Sequence, residues 1–287
     1  MISDANQNLT TTIPDSGDSG RRGGRMRRLV NFAAPPAAVL VAVIGGWYLF
    51  SLALEPRRRF LLPPPDRVVK VGFVDAGNRA ELLTALALSA RVALLGLAIA
   101  MVVGIGAGVV MSQARWLERS LFPYAVLLQT VPILALVPLF GFWFGFGFTS
   151  RVLVCVLIAL FPIIANTLFG LRSAEAGHHD LFTLHRAGRW TRLRKLQLPA
   201  ALPSIFTGLR ISAGLSVIGA IVGDYFFRQG QPGIGRLIDV YRSRLESERM
   251  VAAVILASLF GIAVFLVFSW LSRRVAAWHE STHDRAP

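Results

Sequence analysis

Long stretches without a charged residue alternate with shorter polar segments along most of the chain. Five such stretches cover residues 29–54, 92–114, 120–150, 152–171 and 250–272. An α-helix rises 1.5 Å per residue, so about 20 residues cross the roughly 30 Å hydrocarbon core of a bilayer. Each stretch is long enough, and the pattern therefore predicts five membrane-spanning helices.

A sixth span is predicted near residue 215, although Arg210 and Asp224 enclose only 13 residues there. Extending the helix to 205–226 restores the length and keeps both charges within about one and a half turns of a helix end. At these positions both side chains reach the interface by snorkelling, whereas a charge at the helix centre costs about 2.5–3.5 kcal/mol. The predicted fold class is all-α, a polytopic membrane protein with six transmembrane helices.

The stretch 120–150 is too long for one straight helix that crosses upright. Pro132 and Pro138 predict a kink, because proline removes a backbone donor and clashes with the preceding turn. Gly145 and Gly147, on either side of a phenylalanine, predict a turn near the end of this stretch.

Both ends of the chain are polar. Residues 1–28 are rich in Ser, Thr, Asp, Asn and Gly and end in a cluster of five arginines, which predicts a disordered tail. A cleaved signal peptide is the alternative, and it fits poorly because the apolar stretch that follows is longer than a signal core. The transmembrane domain is predicted over 29–275, with a second tail over 276–287.

An even number of spans places both tails on one side of the membrane. With the N-terminus inside, the inner segments hold 16 Lys and Arg and the outer segments hold 12. This bias favours cytoplasmic N- and C-termini in a plasma or inner membrane. The three arginines at 57–59 argue against it, since they fall on the predicted outer side.

Composition supports an integral membrane protein. Of 287 residues, 54% are hydrophobic and 16% are charged, against about 25% charged in a typical soluble domain. Mean hydropathy is +0.57, which excludes a disordered protein and argues against a soluble enzyme. The net charge of +14 comes from arginines between apolar runs. We therefore expect a lipid bilayer and no nucleic acid as partner.

One connection between spans, residues 173–204, is long and amphipathic, and we call it the basic loop. Leu181, Leu184, Leu193 and Leu196 recur at helical spacing among five Arg and Lys residues. Gly188 predicts a turn between two short helices, and the prolines at 199 and 203 predict the end of the second helix. A surface that binds anionic lipid and a docking site for a partner protein explain this pattern equally well.

The sequence lacks the residue patterns of a phosphate-binding loop, a disulfide or a metal site. The chain has two lysines, Lys70 and Lys195, and neither follows a phosphate-binding glycine loop. The single cysteine, Cys155, excludes an intrachain disulfide, and no Cys/His cluster with metal-ligand spacing is present. We expect no enzymatic activity, no metal and no other cofactor.

Mildly polar residues occur within the spans, and ionisable residues are expected only near their ends. For most of these polar residues a hydrogen bond between helices is favoured over a contact with a transported solute. The candidates for a translocation pathway are Gln129, Thr130, Asn166, Ser212 and Ser216.

Five stretches, in order, resemble the permease subunit of a type I ABC importer. The likeness is to the nitrate/sulfonate/taurine-type group, which also contains carriers of thiamine-precursor pyrimidines. The stretches are Leu-Pro-Pro-Pro at 62–65, VPILALVPLFGFWFGFG at 131–147, FPIIANTLFGLRS at 161–173, LPAALPSIFTGLRI at 198–211 and Gly-Ile-Gly at 233–235. The resemblance covers about residues 60–280, which is nearly all of the chain except the tail. The resemblance implies a core permease region over about 85–272.

In that family the loop between spans four and five carries the EAA coupling motif, and this chain departs from it. Asp180 takes the glutamate position and Arg186 takes the glycine position, with Gly188 two residues later. We expect the two helices to be kept and the turn to be shifted. The resemblance implies that the residues coupling the permease to an ATPase are Asp180, Leu184, Arg186, Ala187, Gly188, Arg189, Trp190, Leu198 and Pro199.

The resemblance also implies the partners. Two copies of this permease, or two related permeases, form a pathway, and we expect the homodimer. ABC ATPase subunits bind on the cytoplasmic side, and an extracytoplasmic solute-binding protein delivers the solute. The solute class stays open between a sulfonate-, taurine- or nitrate-like anion and a pyrimidine. Arginines on the outer loops fit either attraction of anions or docking of an acidic binding protein. The rival hypotheses are an ion-gradient-driven secondary transporter and a membrane scaffold that binds lipid.

Overall fold

The computed structural model describes residues 19–280, with side chains over 34–275 except Pro56. The helices are α1 (Ser19–Ala53), α2 (Pro65–Val69), α3 (Ala76–Ser112), α4 (Arg115–Thr130), α5 (Ile133–Phe144), α6 (Phe148–Leu171), α7 (Ala176–Leu184), α8 (Arg189–Arg192), α9 (Leu198–Phe226), α10 (Ile234–Ser243) and α11 (Ser247–Glu280). The chain divides into one unit that ends at Arg59 and another that begins at Phe60.

The first unit holds α1 and a short 3₁₀ turn, Pro56–Arg58. Its membrane-spanning part is Ala34–Ala53, which is apolar over 20 residues. The tail predicted over 1–28 lies outside the described residues up to position 18, and from Ser19 the backbone is helical. The tail predicted over 276–287 is helical up to Glu280, and the remaining positions are outside the described part.

The second unit is built around α3, α6 and α9, which pack with very little space between their backbones. An added Cβ at Gly104 would lie 2.8 Å from Ile163, and one at Gly108 would lie 2.7 Å from Thr167. A Cβ added at Gly219 of α9 would lie 2.8 Å from the Cα of Cys155. Small residues allow this approach, and van der Waals packing is what holds helices together inside a membrane.

Over the described residues, five helices are long and apolar enough to cross a membrane, and α4 with α5 forms a sixth candidate bent by 97°. The predicted kink is confirmed at Pro132, where α4 ends and α5 begins. Pro138 lies inside α5 without interrupting it. The predicted turn is confirmed at Gly145, whose φ of 82° suits a residue without a side chain.

The second span begins earlier than its charge-free stretch, at Ala76 instead of residue 92. The Asp75 carboxylate caps the helix by accepting a hydrogen bond from the Asn78 backbone N–H at 2.8 Å. Charged residues near the end of a long helix extend beyond the hydrocarbon, so a reading based on charge-free length misses this part.

The prediction that Pro199 and Pro203 end a helix is wrong. A single helical stretch runs from Arg189 to Phe226, and Pro199 and Pro203 lie within it. A π-helical turn, Leu193–Gln197, ends two residues before Pro199. A π-turn changes the hydrogen-bond spacing locally, which allows the helix to accommodate a residue that cannot donate.

Candidate functional site

A cavity of about 400 Å³ lies where α4 breaks and α5 begins. Its lining residues are Leu128, Gln129, Thr130, Val131, Pro132, Ile133, Leu157, Ile158, Phe161, Pro162 and Leu215. The break forms one wall, and residues of α6 and α9 form the other. Two of the five predicted pathway residues, Gln129 and Thr130, lie on this wall and are exposed.

Backbone groups add to the polarity of the cavity. Pro132 has no N–H to donate to the Leu128 carbonyl, its partner in a regular helix. The Val131 N–H is bonded to the Leu127 carbonyl at 3.0 Å and is not available to Leu128. The Thr130 hydroxyl donates to the same Leu127 carbonyl at 3.1 Å. The break therefore leaves Leu128, a lining residue of the cavity, without the helical donor to its carbonyl.

The other predicted pathway residues are placed differently. Asn166 is half-buried one helical turn beyond Pro162, and its Nδ2 donates to the Pro162 carbonyl at 2.8 Å. Ser212 is buried and donates to the Ala159 carbonyl across the α6–α9 contact at 2.6 Å. Ser216 is also buried, and its hydroxyl donates to the Ala213 carbonyl at 2.8 Å. Ser212 and Ser216 do not line the cavity in this chain.

A buried ion pair lies at the opposite end of α6 and α9 from the basic loop. Arg151, in the first turn of α6, and Asp224, in the last turn of α9, are 1% and 0% exposed. Their Nη1 and Oδ1 atoms are 3.1 Å apart. The prediction that Asp224 snorkels to the interface is wrong, because the ion pair supplies its partner inside the protein.

The same carboxylate is held from α3 and α10. The Ser89 hydroxyl donates to Asp224 Oδ2 and accepts from the Ile234 backbone N–H at 2.8 Å. A Cβ at Gly233 would overlap the Asp224 carboxylate, and one at Gly235 would overlap the Ile221 carbonyl. This close approach explains the glycines at both ends of the Gly-Ile-Gly stretch.

Arg151 also holds the loop between α9 and α10. Its Nη2 donates to the carbonyls of Phe227 and Gln229, each at 2.8 Å, and its Nη1 donates to the Gln231 carbonyl at 3.1 Å. The Gln229 N–H bonds to the Phe146 carbonyl at 3.0 Å. The loop therefore connects the end of α9 to the turn that follows α5.

Sequence reasoning missed this pairing, although it left a signal. Arg151 opens one predicted span and Asp224 closes the next one along the chain. Consecutive spans run antiparallel, so the start of one and the end of the next lie on the same side of the membrane. Opposite charges at these two positions therefore predict a pair when the helices touch.

The basic loop contains the turn at the glycine position of the family motif. Arg186 has a φ of 49°, its N–H bonds to the Thr183 carbonyl at 2.9 Å, and the Ala187 N–H bonds to the Phe182 carbonyl at 2.9 Å. This is the Schellman arrangement, which favours glycine at the left-handed residue. Gly188 has an ordinary φ of −67° and precedes α8. The expected shift of the turn to Gly188 is wrong.

Apolar side chains of the basic loop face outward. Leu184 is 81% exposed and Trp190 is 68% exposed. Asp180 and Arg189 are exposed beside them, whereas Leu198 and Pro199 are half-buried at the start of α9. The Arg192 Nη2 donates to the Thr183 hydroxyl at 2.9 Å and joins α8 to α7. The loop thus combines exposed apolar groups with a fixed internal geometry.

Helix α10, on the side of the buried ion pair, carries a second charged cluster. Asp239 accepts hydrogen bonds from Arg242 at 2.9 Å and from Arg228 at 2.7 Å. The hydrogen bond from Arg242 is the main cause that holds the pKa of Asp239 below its usual value. Burial, and then a hydrogen bond to Glu81, raise the pKa of Tyr241.

Residues 100–277 match the family described as binding-protein-dependent transport system inner membrane component. The chain belongs to this family. The resemblance to ABC importer permeases of the nitrate/sulfonate/taurine-type group is therefore confirmed, as is an inner-membrane, multi-pass all-α fold.

Three relatives show how far the similarity extends. The formylaminopyrimidine transport permease protein ThiX of Halalkalibacterium halodurans is 33% identical over 221 residues, 77% of this chain and 87% of that protein. The putative aliphatic sulfonates transport permease protein SsuC of Escherichia coli is 32% identical, with 85% and 91% covered. The taurine transport system permease protein TauC of Escherichia coli is 28% identical, with 88% and 92% covered.

Solved structures show the same fold at low sequence identity. A chain of the MetNI methionine ABC transporter in an inward-facing conformation superposes with a TM-score of 0.62 at 16% identity. The match covers 70% of this chain and 99% of that chain. An amino acid ABC transporter structure superposes with a TM-score of 0.56 at 15% identity.

Proposed function

We propose that this permease forms the pathway for a small solute and takes its energy from a separate ATPase through the basic loop. The observation that carries the proposal is the single helix from Arg189 to Phe226. One end of this helix belongs to the exposed loop, and the other end carries the buried Asp224. A movement applied to the loop is therefore transmitted along one element to the far side of the molecule.

The exposed apolar groups on the basic loop favour a protein partner over a lipid surface. Leu184 and Trp190 project from a turn that is fixed by backbone hydrogen bonds, which suits insertion into a groove. Asp180, Arg186, Ala187, Gly188 and Arg189 surround these two side chains, and Leu198 with Pro199 begins the helix that leads away. We assign all of these residues to the contact with the ATPase or to its mechanical connection.

The assembly that follows is a homodimer of permeases with two ATPase subunits and an extracytoplasmic binding protein. The N- and C-termini and the basic loop are cytoplasmic, and the α9–α10 region faces the binding protein. The pathway includes Gln129 and Thr130 at the cavity, with Asn166 one turn away. The solute belongs to the range served by the relatives, from sulfonate or taurine anions to a pyrimidine.

The test is purification of the full chain from its native membrane, followed by uptake in vesicles. We expect a nucleotide hydrolase to co-purify and uptake to require ATP. Uptake that survives ATP depletion and collapses with an ionophore would identify an ion-gradient carrier instead. A cysteine in place of Arg189 that is labelled from outside intact cells would overturn the orientation.

Trp190→Ala tests the docking contact directly. We expect loss of most of the co-purified hydrolase and of ATP-driven uptake, because an exposed aromatic anchor in an interface commonly contributes about 2 kcal/mol or more, roughly thirtyfold in affinity. Trp116→Ala is the matched control, since Trp116 is equally exposed at 67% and lies at the same end of the helices as the basic loop. The ion pair between Glu118, two residues after Trp116, and Arg172, next to the basic loop, shows this placement. Equal hydrolase recovery from both variants would contradict the docking site.

A further inference from the structure

The cavity at the α4–α5 break contains no ionisable side chain among its lining residues. Its polar side chains are those of Gln129 and Thr130, and its other lining residues are apolar. The Gln129 amide both donates and accepts hydrogen bonds, whereas the Thr130 hydroxyl donates to the Leu127 carbonyl and remains free to accept. The cavity therefore offers a hydrogen-bonding edge without a net charge.

Both polar side chains of the lining, those of Gln129 and Thr130, lie on the wall formed by the break, where they stand among apolar residues. The facing wall comes from apolar residues of α6 and α9, among them Phe161, Pro162 and Leu215. An aromatic ring and a proline ring provide flat apolar surface. A planar solute fits this arrangement, since its face packs on the rings while its edge bonds to the break.

The arginines of α6 and α9, Arg151 and Arg210, are committed to other partners. Both Nη atoms of Arg151 are bonded to the Asp224 carboxylate or to loop carbonyls. The Arg210 guanidinium lies over the Phe265 ring of α11 at 5.7 Å. Arg210 and Leu215 are five residues apart, which places them about 140° apart around α9.

We propose that this cavity receives an uncharged, planar solute with hydrogen-bonding groups on its edge, and that it disfavours organic anions. The inference rests on the proposed function, because it takes the cavity as part of the pathway. An anion that enters loses hydration and gains no cationic partner in return, which is costly in a site of low polarity. In a homodimer the second copy contributes the same uncharged residues.

The test uses Thr130→Cys in the assembled complex in lipid nanodiscs. Cys155 is 0% exposed, so the introduced thiol is the one that reagents reach. Three methanethiosulfonates with the same reacting group are compared, carrying 2-hydroxyethyl, 2-sulfonatoethyl and 2-trimethylammonioethyl substituents. Each rate is divided by the rate of that reagent with a small uncharged thiol in solution.

We expect the uncharged reagent to react at least about tenfold faster than the sulfonate after this correction. Gln129→Arg in the same background should raise the sulfonate rate several-fold, because it places a cation on the lining. A sulfonate rate equal to the uncharged rate would overturn the inference, and so would a thiol that none of the reagents labels. An unchanged sulfonate rate in the Gln129→Arg background would also count against it.

Failure of this inference is distinguishable from failure of the proposed function. ATP-driven uptake and hydrolase co-purification by the unmodified chain test the function and do not depend on the labelling rates. If both persist while the sulfonate reacts freely with the introduced thiol of the Thr130→Cys variant, the permease assignment stands and the solute class is wrong. If both are absent, the function fails whatever the labelling shows.

Discussion

Arg151 and Asp224 form an ion pair of 3.1 Å between α6 and α9, and both side chains are excluded from solvent. The pair fixes more than two helices, because Arg151 also binds three carbonyls of the α9–α10 loop and Asp224 also binds Ser89 of α3. The far end of the helix that begins at the basic loop is thus anchored to α3, α6 and the turn after α5. A force on that helix acts on all of them together.

Asp224→Asn should destabilise the protein by about 3–5 kcal/mol, because it leaves the Arg151 charge buried without its partner. The measurement is thermal unfolding of the purified complex in one detergent. The double variant Arg151→Met/Asp224→Asn removes both charges and should recover part of the loss. A single variant that unfolds at the wild-type temperature would contradict the buried pairing.

Gly233→Ala should lower the yield of folded protein and its unfolding temperature. The added methyl group would overlap the Asp224 carboxylate, which is held by Arg151 and Ser89 and has no space to move. Gly214→Ala is the matched control, since nothing lies within 4 Å of its Cβ position. Both are compared with the wild type by size-exclusion profile and melting temperature, and equal behaviour would argue against the close packing.

Arg186→Gly should stabilise the turn of the basic loop by about 1 kcal/mol, because Arg186 has a left-handed backbone that costs a residue with a side chain roughly this amount. Hydrogen exchange at the amides of residues 186 and 187 measures the change, and slower exchange is expected. Gly188→Ala should leave this exchange unchanged, since Gly188 has an ordinary φ and open space around it. Faster exchange in Arg186→Gly would contradict the left-handed backbone conformation of Arg186.

The stabilising contribution of Asp239 should be lost in acid. Its pKa is below the ordinary value of 3.8, mainly because Arg242 donates a hydrogen bond to the carboxylate. A carboxyl with a depressed pKa stabilises the fold above that ordinary value, and the contribution is lost as pH falls through the lower folded pKa. The difference in melting temperature between wild type and Asp239→Asn should therefore shrink as the pH is lowered from neutrality through the ordinary carboxyl range. A melting-temperature difference that grows on acidification would contradict this prediction.

The sequence by itself determined which segments cross the membrane, although not all of their ends, because the backbone of a span must form its hydrogen bonds internally and its side chains must be mostly apolar. It also determined the kink at Pro132 and the turn at Gly145, which depend on properties of single residues. The resemblance to the family also followed from the sequence alone, because five local stretches occur in the family's order.

Only the tertiary structure decided which of the polar residues share a site. Arg151 and Asp224 are 73 residues apart, and their pairing depends on how two helices are rotated against each other. The same rotation turns Ser212 toward the Ala159 carbonyl, and the bend between α4 and α5 leaves Gln129 at the cavity. Local pattern gives the period of a helix and its apolar faces, but α3, α6 and α9 are apolar on nearly all sides. Their orientation therefore comes from close packing at glycines and from buried polar partners, which are properties of the assembled core.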